Sequence, residues 1–553
     1  MIDRNSPAYW HLSTRSSKKN KVECFIDGQS YMSKLYEVIN ETGITEGDFI
    51  FVTGWLFSLN QCLRGQQDSS SNFINLLISR ATQTINPVLV KILPWMPTGI
   101  AEYIIKDNAK QHTALMLKCY EVNNPKFQVC LSAQNLGGGS HHQKFIIIKK
   151  NNEYFAFLGG IDIASDRWDT NNHNNDGSNR NHKDFFGWHD IHTLIQGPAV
   201  TEIFNNFKER WNAMRGSDNF LEVSKSEVAN MMNIIFNSGI YLDMTKLNAN
   251  LSDESDKYFI HFTSPNYSEI ENDISISEPS DGFYTQALRT IGKNSTPGIN
   301  WDYSVMIGFK QAIEKAENYI YIEDQYFWYS RSLIESFKIA ARKGVRIIVV
   351  TVKQSDASNE GDFWVNQRIA HHRAWMTNFE LINLASISVG KGKCCFIYHL
   401  DPSDFGEDEV ERLSYDNREN YYRFRQIYVH SKLMIIDDIF VSIGSANLND
   451  RSMTTDTEIA ITIVNESFAQ SLRKDIWNHL LSPYGSPERY EAPNTWPYLD
   501  IYSSPVHVVA LHNLKVDEEN NQLEYFELLA DGKVDERFGG GYTFTKILNP
   551  YNK

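Results

Sequence analysis

The stretch Val429-His430-Ser431-Lys432-Leu433-Met434-Ile435-Ile436-Asp437, followed by Gly444-Ser445-Ala446-Asn447, has a near copy far upstream. There His141-His142-Gln143-Lys144-Phe145-Ile146-Ile147-Ile148 leads in the same way into an apolar run, and then into Gly159-Gly160-Ile161-Asp162. More than half of the 553-residue chain separates the two His-x-Lys pairs. A single such pair carries no weight. Two with matching flanks indicate an internal duplication in which each copy supplies half of one site.

The repeat reaches beyond the motifs. Asp48 to Phe57 resembles Asn318 to Phe327, and each follows a helix-like segment, Tyr31 to Glu41 in one half and Val305 to Glu317 in the other. A second strand follows in each, Val88 to Leu93 and Val345 to Val350, and the His-x-Lys strand comes third. After the small-residue turns, Asp166-Arg167 parallels Asp450-Arg451. A further strand then carries an acid, Asp190 in one copy and Glu458 in the other. Apolar strands alternating with helices predict an α/β fold with sheets covered on both faces. The expected architecture is two similar α/β/α sandwich lobes related by a pseudo-two-fold axis, with the site between them.

The boundaries follow from composition. Residues 1–23 read as an N-terminal extension, 24–215 as the first lobe, 216–280 as an Asn-, Ser- and Asp-rich connector and 281–483 as the second lobe. Residues 353–420 read as an insertion in the second lobe, of the kind that serves as a lid or substrate-selecting loop. Residues 484–553 read as a tail packed on the core.

A chain of 553 residues with 42% hydrophobic and 22% charged residues suits two packed halves. Its net charge of −15 argues against a general nucleic-acid binder, which needs clustered Lys and Arg. An anionic substrate is still allowed, because a few buried cations dominate one pocket. The six cysteines form no CxxC, so buried reduced thiols are expected rather than a disulfide framework or zinc ribbon. No run reaches the ~18 apolar residues of a membrane span, and the first residues lack a signal-peptide pattern. The expectation is a cytoplasmic protein, or one exported without a signal peptide.

Residues i and i+2 of a strand share a face, so His142 with Lys144, and His430 with Lys432, project into one pocket. Two imidazoles across a phosphodiester divide the labour: a neutral one attacks phosphorus and a protonated one donates to the departing alkoxide. The lysines supply charge where phosphoryl oxygens turn negative. Each imidazole needs its remote nitrogen held by an acceptor, and Asp190 and Glu458 are the candidates. Gly159, Gly160, Asp162, Gly444, Ser445 and Asn447 are candidates for substrate binding through backbone N–H groups, the serine hydroxyl and the asparagine amide.

His430-x-Lys432-x4-Asp437-x6-Gly444-Ser445-x-Asn447 resembles the HKD signature of the phospholipase D superfamily. Ser140 to Lys144, Gly159 to Asp162, Trp188 to His192, Tyr321 to Phe327 and Asp456 to Ala460 resemble the branch that hydrolyses phosphatidylcholine-type lipids, and the likeness runs over most of residues 24–480. It implies cleavage without a metal or other cofactor through a phosphohistidine, giving phosphatidic acid and a free head group, with transfer to alcohols also implied. It further implies that His142 is the nucleophile, that His430 is the acid, and that the partner is a phospholipid membrane surface engaged peripherally. The first motif departs from the pattern, with Lys149 where an acid is expected. Position 149 has the opposite strand parity to His142 and Lys144, so the motif acid, Asp437 in the second copy, reads as structural, and the orienting role in the first falls to Asp190. Accessory lipid-binding modules of the kind that precede many members of the family are not expected within residues 1–23.

Other features read more plainly. His189 and His192, with His173 and His182, are set aside as a zinc site because no cysteine or carboxylate spacing completes a tetrahedral set. His141 reads as a neighbour facing away from the pocket. Gly137-Gly138-Gly139 reads as a flexible loop rather than a phosphate cradle. Tyr326-Phe327-Trp328-Tyr329 is either an acyl cleft or core, and Arg15, Lys18, Lys19 and Lys21 form a solvated basic patch. The alternatives to a phospholipase D are a phosphodiesterase, nuclease or phosphatidyltransferase of the same superfamily, and a catalytically silent phosphate-binding scaffold.

Overall fold

Each half of the chain threads its strands into a sheet in the same spatial order. A computed structural model describes residues 3–43, 45–97, 106–132, 139–171, 173, 187–215, 218–224, 257–263, 267–293, 295–296, 298–327, 330–351, 394–401, 425–481 and 508–511. In the first half the order is Phe127–Val129, Leu89–Pro94, Phe49–Gly54, Phe145–Lys150, Glu153–Gly159, Ile191–Gln196 and Lys18–Ile26. In the second it is Cys394–Asp401, Arg346–Thr351, Tyr319–Glu323, Leu433–Ile436, Phe440–Gly444, Glu458–Val464 and Phe283–Ile291. The first three strands of each run parallel to one another and the remaining pairings are antiparallel. The start of Lys18–Ile26 also pairs with Phe283–Ile291, from Lys18 opposite Thr285 to Asn20 opposite Phe283, so one strand stitches the sheets together.

The continuous apolar runs have a simple cause. Along Phe145–Lys150, Phe145 and Ile147 enter the core between the sheets while Ile146 and Ile148 enter the outer core of the first lobe. Leu433 and Ile435 do the same opposite Met434 and Ile436 in the second lobe. A strand buried on both faces needs an apolar residue at every position. Helices Ala199–Met214 and Glu466–Leu481 contribute to the central core. Asp27–Asn40 and Phe73–Thr82 cover the first sheet outside, and Ser304–Lys315 and Arg331–Arg342 cover the second. Asp27–Asn40 buries Tyr31, Met32, Leu35, Val38 and Ile39, the one-sided spacing of an amphipathic helix. The layered α/β architecture thus matches the expectation from the repeat. Among the described residues no helix is long and apolar enough to cross a membrane.

Several boundaries move. The extension 1–23 is not separate, because Lys18–Ile26 is a sheet strand and Trp10 is buried in the second lobe's outer core. The basic patch is partly consumed: Arg15 pairs with Asp302, Lys18 with Glu278 and Lys21 with Asp281. The connector 216–280 contains a two-stranded antiparallel sheet, Asp218–Ser224 with Lys257–Thr263. The insertion 353–420 contains a sheet strand, Cys394–Asp401, equivalent in position to Phe127–Val129, and the rest of it lies outside the described residues. Of the tail 484–553, only Val508–Leu511 is described, as an antiparallel neighbour of Cys394–Asp401.

Candidate active site

The backbone brings each histidine to the opposite lobe's acid. Arg425–Val429 runs parallel to Gly187–His189, with Val429 opposite His189, and the His430 N–H donates to the His189 carbonyl at 2.7 Å. On the other side His141 bridges Thr457 in parallel, and the His142 N–H donates to the Thr457 carbonyl at 2.9 Å. His189 and Thr457 immediately precede Asp190 and Glu458.

The side chains follow. His142 Nδ1 lies 3.0 and 3.2 Å from the two Glu458 carboxylate oxygens and 3.1 Å from the Ser445 carbonyl. His430 Nδ1 lies 2.6 Å from Asp190 Oδ2. The orienting role assigned to Asp190 for the first motif is therefore corrected: Asp190 holds the second motif's histidine, and Glu458 holds the first's. Equivalence in a repeat shows which residues match but not which lobe they serve. Lys144 Nζ donates to the His142 carbonyl at 3.1 Å and pairs with Asp162 at 3.2 Å. Lys432 Nζ donates to the His430 carbonyl and reaches Gln325 Oε1 at 3.3 Å. With Nδ1 committed, Nε2 is the reactive nitrogen of each ring.

One field covers all four residues. Burial and Lys144 hold the His142 imidazole well below the usual histidine range, and Lys432 adds to this. Burial, Lys432, Arg167, Lys144 and His142 itself do the same to His430. Burial raises Asp190 to about 6 and Glu458 to about 7, and lowers Lys432 to about 8. Neutral His142 is the form a nucleophile requires. An entering phosphodiester anion opposes the lysine field and favours protonation of a ring beside it.

The remaining candidates divide. Gly159, Gly160 and Gly444 do not offer free N–H groups: these donate to the carbonyls of Lys144, Ile191 and Lys432. Instead they admit the acid strand. A Cβ on Gly160 would lie 2.1 Å from Asp190 Oδ1, and one on Gly444 2.3 Å from the Ile459 carbonyl. The Ser445 hydroxyl is spent on Glu458 Oε2 at 2.5 Å, so it braces the orienting acid rather than substrate. Asp162 accepts the Trp55 and Leu56 N–H groups at 2.9 and 3.1 Å as well as facing Lys144. Asn447 is buried with its amide oxygen unpartnered.

Asp437 sits at the far end of its strand, accepting the N–H groups of Glu317, Asn318 and Tyr319 at 2.8 Å each. Lys149 occupies the matching place, reaching the Gly47 carbonyl at 3.4 Å, and there Asp48 ties the turn by accepting from Gly43 and Asn151 at 3.0 and 3.1 Å.

Further side chains complete the surroundings. Trp188 lies 5.0 Å from the His430 ring, and the Arg167 guanidinium sits 3.9 Å over Trp188. The Lys144 ammonium lies 5.8 Å from Trp55, itself stacked on Trp95 at 5.7 Å. Gln143, pointing away from His142, donates to the Glu458 carbonyl at 3.0 Å and accepts from buried Arg210 at 2.8 Å. Buried His141 meets Thr457 Oγ1 at 2.8 Å, and Phe327 is core against Phe337. Trp328, Tyr329, Gly137 and Gly138 lie outside the described residues, as does His182. His192 stacks on Tyr31 at 3.9 Å, whereas His173 and His189 meet Asp27 and His479.

Known proteins resemble this chain over most of its length. The Phospholipase D family model matches residues 45–364, and one described as Cardiolipin synthase, PLD-like domain, matches 309–480. The chain belongs to the phospholipase D superfamily. It is 27% identical over 515 residues to Phospholipase D gamma 2 of Arabidopsis thaliana, covering 74% of this chain and 56% of that protein. It is 26% identical over 503 residues to Phospholipase D alpha 4 of the same plant, covering 77% and 61%. The chain thus spans little more than half the length of these relatives. In fold it is similar to the crystal structure of phosphatidylserine synthase from Haemophilus influenzae Rd KW20, with a TM-score of 0.51, 12% identity and coverage of 99% of this chain and 100% of that one.

Proposed function

We propose that this chain is a phospholipase D that hydrolyses the distal phosphodiester bond of glycerophospholipids at a membrane surface it engages peripherally. The observation that carries the reading is the crossed pairing of His142 with Glu458 and His430 with Asp190 around two buried lysines. The similarity to plant phospholipases D supports the lipid substrate.

In this reading His142 Nε2 attacks phosphorus while the bond to the head-group oxygen breaks, and protonated His430 gives its proton to that oxygen. His430, now neutral, takes a proton from water, whose oxygen attacks phosphorus as the phosphorus–nitrogen bond breaks. Phosphatidic acid leaves and His430 is again protonated. Glu458 and Asp190 hold the rings in place and stabilise whichever carries charge. Lys144 and Lys432 stabilise the equatorial oxygens, and an alcohol in place of water gives head-group exchange.

The test is incubation of the purified protein with phosphatidylcholine, phosphatidylethanolamine and single-stranded DNA, chelator present. Choline or ethanolamine release that vanishes in His430→Ala is the expected outcome. DNA cleavage without lipid turnover would assign another phosphodiesterase of the superfamily, and inertness toward all three would leave a phosphate-binding scaffold.

A further inference from the structure

Among the described residues five large hydrophobic side chains stay exposed: Ile85, Tyr284, Trp301, Ile307 and Ile339. Scattered singly, such residues are ordinary on a folded surface. Trp301, 61% exposed, and Ile307, 52% exposed, differ because they adjoin. The Trp301 ring stacks on Tyr303 at 5.3 Å. Tyr303 caps the helix Ser304–Lys315 and lies one turn before Ile307, on the same face. Half-buried Ile299, two residues before Trp301, extends the patch.

The patch sits at the active-site end of the second lobe. Glu458, which holds His142, stands opposite Thr290 on the strand Phe283–Ile291. One rung further Ile291 pairs with Asp302, and the chain between them projects as a loop. Its base is pressed against the approach to Glu458: a Cβ on Gly292 would lie 2.4 Å from the Thr455 carbonyl oxygen. Its tip is open, since a Cβ on Gly298 would meet nothing within 4 Å. The first lobe has no such loop, because its equivalent strand, Lys18–Ile26, passes directly into the helix Asp27–Asn40. The other exposed side chains point elsewhere. Tyr284 lies at the opposite end of its strand, and Ile85 and Ile339 precede the starts of Leu89–Pro94 and Arg346–Thr351, away from the histidines. Lys293 and Lys310 are exposed on either side of the patch, one where the loop leaves its strand and the other one turn beyond Ile307. Asp302, the acid within it, is already paired with Arg15 and Arg289. A chain of net charge −15 thus presents an apolar, locally basic edge here.

We infer that Ile299, Trp301, Tyr303 and Ile307, flanked by Lys293 and Lys310, dock this end of the second lobe on an anionic phospholipid bilayer. The inference rests on the phospholipase D reading for the chemistry of its partner, a lipid surface that gains negative charge as phosphatidic acid accumulates. Tryptophan and tyrosine suit the head-group level, where the ring is buried and its polar edge stays wet. The isoleucines reach the boundary of the acyl chains, and each lysine adds an attraction that salt screens. Four partly exposed side chains fall short of the roughly 800 Å² per partner of a stable protein interface. A second copy docked by the same patch would also set lysines against lysines. Docking here holds the mouth of the site against the head groups and strengthens as product builds up, so the enzyme stays on a bilayer that it has begun to convert.

The test is sedimentation of the full chain with vesicles of phosphatidylcholine alone and of phosphatidylcholine with phosphatidic acid. The chain carries His430→Ala so that the lipid stays intact. Binding should rise with phosphatidic acid and weaken with salt. Combining Trp301→Ser with Ile307→Ser should lower it at least about tenfold. Lys310→Ala should lower it about fivefold at low salt, reading the same surface without touching an apolar residue. With His430 intact, the Trp301→Ser, Ile307→Ser chain should keep wild-type turnover of a monomeric short-chain phosphodiester and show a raised apparent KM on vesicles. No vesicle binding without these substitutions, or binding unchanged by them, would overturn the docking. So would a concentration-dependent dimer that they abolish. Vesicle binding needs no turnover, so a chain inert toward lipid would remove the lipase reading and still leave the docking surface decided.

Discussion

The half-sites around His142 and His430 share a plan but differ in how the orienting acid is occupied. Glu458 divides itself between His142 and two hydroxyls, Ser445 at 2.5 Å and Ser452 at 2.6 Å. Asp190 takes the Ile191 N–H on one oxygen at 2.7 Å and presents the other to His430 at 2.6 Å. Where the second lobe has Ser445, the first has Gly160, whose missing side chain lets Asp190 lie against the turn. A carboxylate shared with two hydroxyls stabilises an imidazolium less than one whose oxygen is given to the ring alone. The asymmetry supports the assignment of His430 as proton carrier and His142 as nucleophile, a distinction absent from the repeat itself.

The strongest attack on that comparison is removal of either ring. His142→Ala and His430→Ala are each expected to lower kcat by at least about 10²–10⁴-fold. Denaturing quenching at alkaline pH, where a phosphorus–nitrogen bond survives, during turnover of lipid labelled in the phosphatidyl part should trap labelled protein in the wild type and none in His142→Ala; equal trapping in that variant would reverse the roles.

Removing the acids sharpens the contrast. Asp190→Asn and Glu458→Gln should each cost about 10²-fold in kcat, through loss of ring orientation and charge stabilisation. Only the Asp190→Asn deficit should shrink on a nitrophenyl phosphodiester, whose leaving group needs no proton. Equal deficits of both variants on both substrates would show that the acids do not serve separate steps.

Away from the two half-sites, the first lobe carries a buried histidine that responds to acid. His112, buried in the first lobe, sits between the Trp95 carbonyl at 2.6 Å and the Phe57 N–H at 3.1 Å, and burial lowers it to about 4. The second lobe's counterpart of this helix would fall between Arg346–Thr351 and Cys394–Asp401, outside the described residues. Between its ordinary value near 6.5 and about 4 the unfolded chain binds the extra proton, so stability falls as pH drops through that window, by about 3 kcal/mol for one group. Thermal melts from pH 7 to 4.5 should show this slope, reduced in His112→Gln. An unchanged slope in that variant would exclude His112 as its source.

The smallest effects belong to the ends of the two motif strands. Asp437→Ala strips three backbone N–H groups of their acceptor and should cost about 1–3 kcal/mol of stability. Lys149→Asp should leave turnover within about tenfold. A loss there as deep as that of His142→Ala would mean that position 149 acts in the site.

Much of this arrangement was legible in the chain because two-sided burial writes itself as unbroken apolar strands and duplication writes itself as register. His142, Lys144, His430, Lys432, Asp190 and Glu458 follow from those signals alone, and strand parity explains Lys149. What stayed hidden depends on contacts between lobes. Nothing local to Glu458 says that it serves His142, and nothing near Asp27 anticipates His479, which reaches it only through the packing of the last helix. Ser445 looked like a substrate donor because the sequence shows its hydroxyl but not the carboxylate beneath it. Trp10 looked like part of a loose extension because its pocket is built from residues such as Phe440, hundreds of positions away.

The reciprocal strand pairing at the two histidines has a consequence for how such a molecule arises and fails. Each lobe borrows half of its working parts from its twin, so neither expressed singly has a wired imidazole. Mixed fragments should recover what isolated ones lack, as two copies of an ancestral single lobe would once have done by meeting face to face.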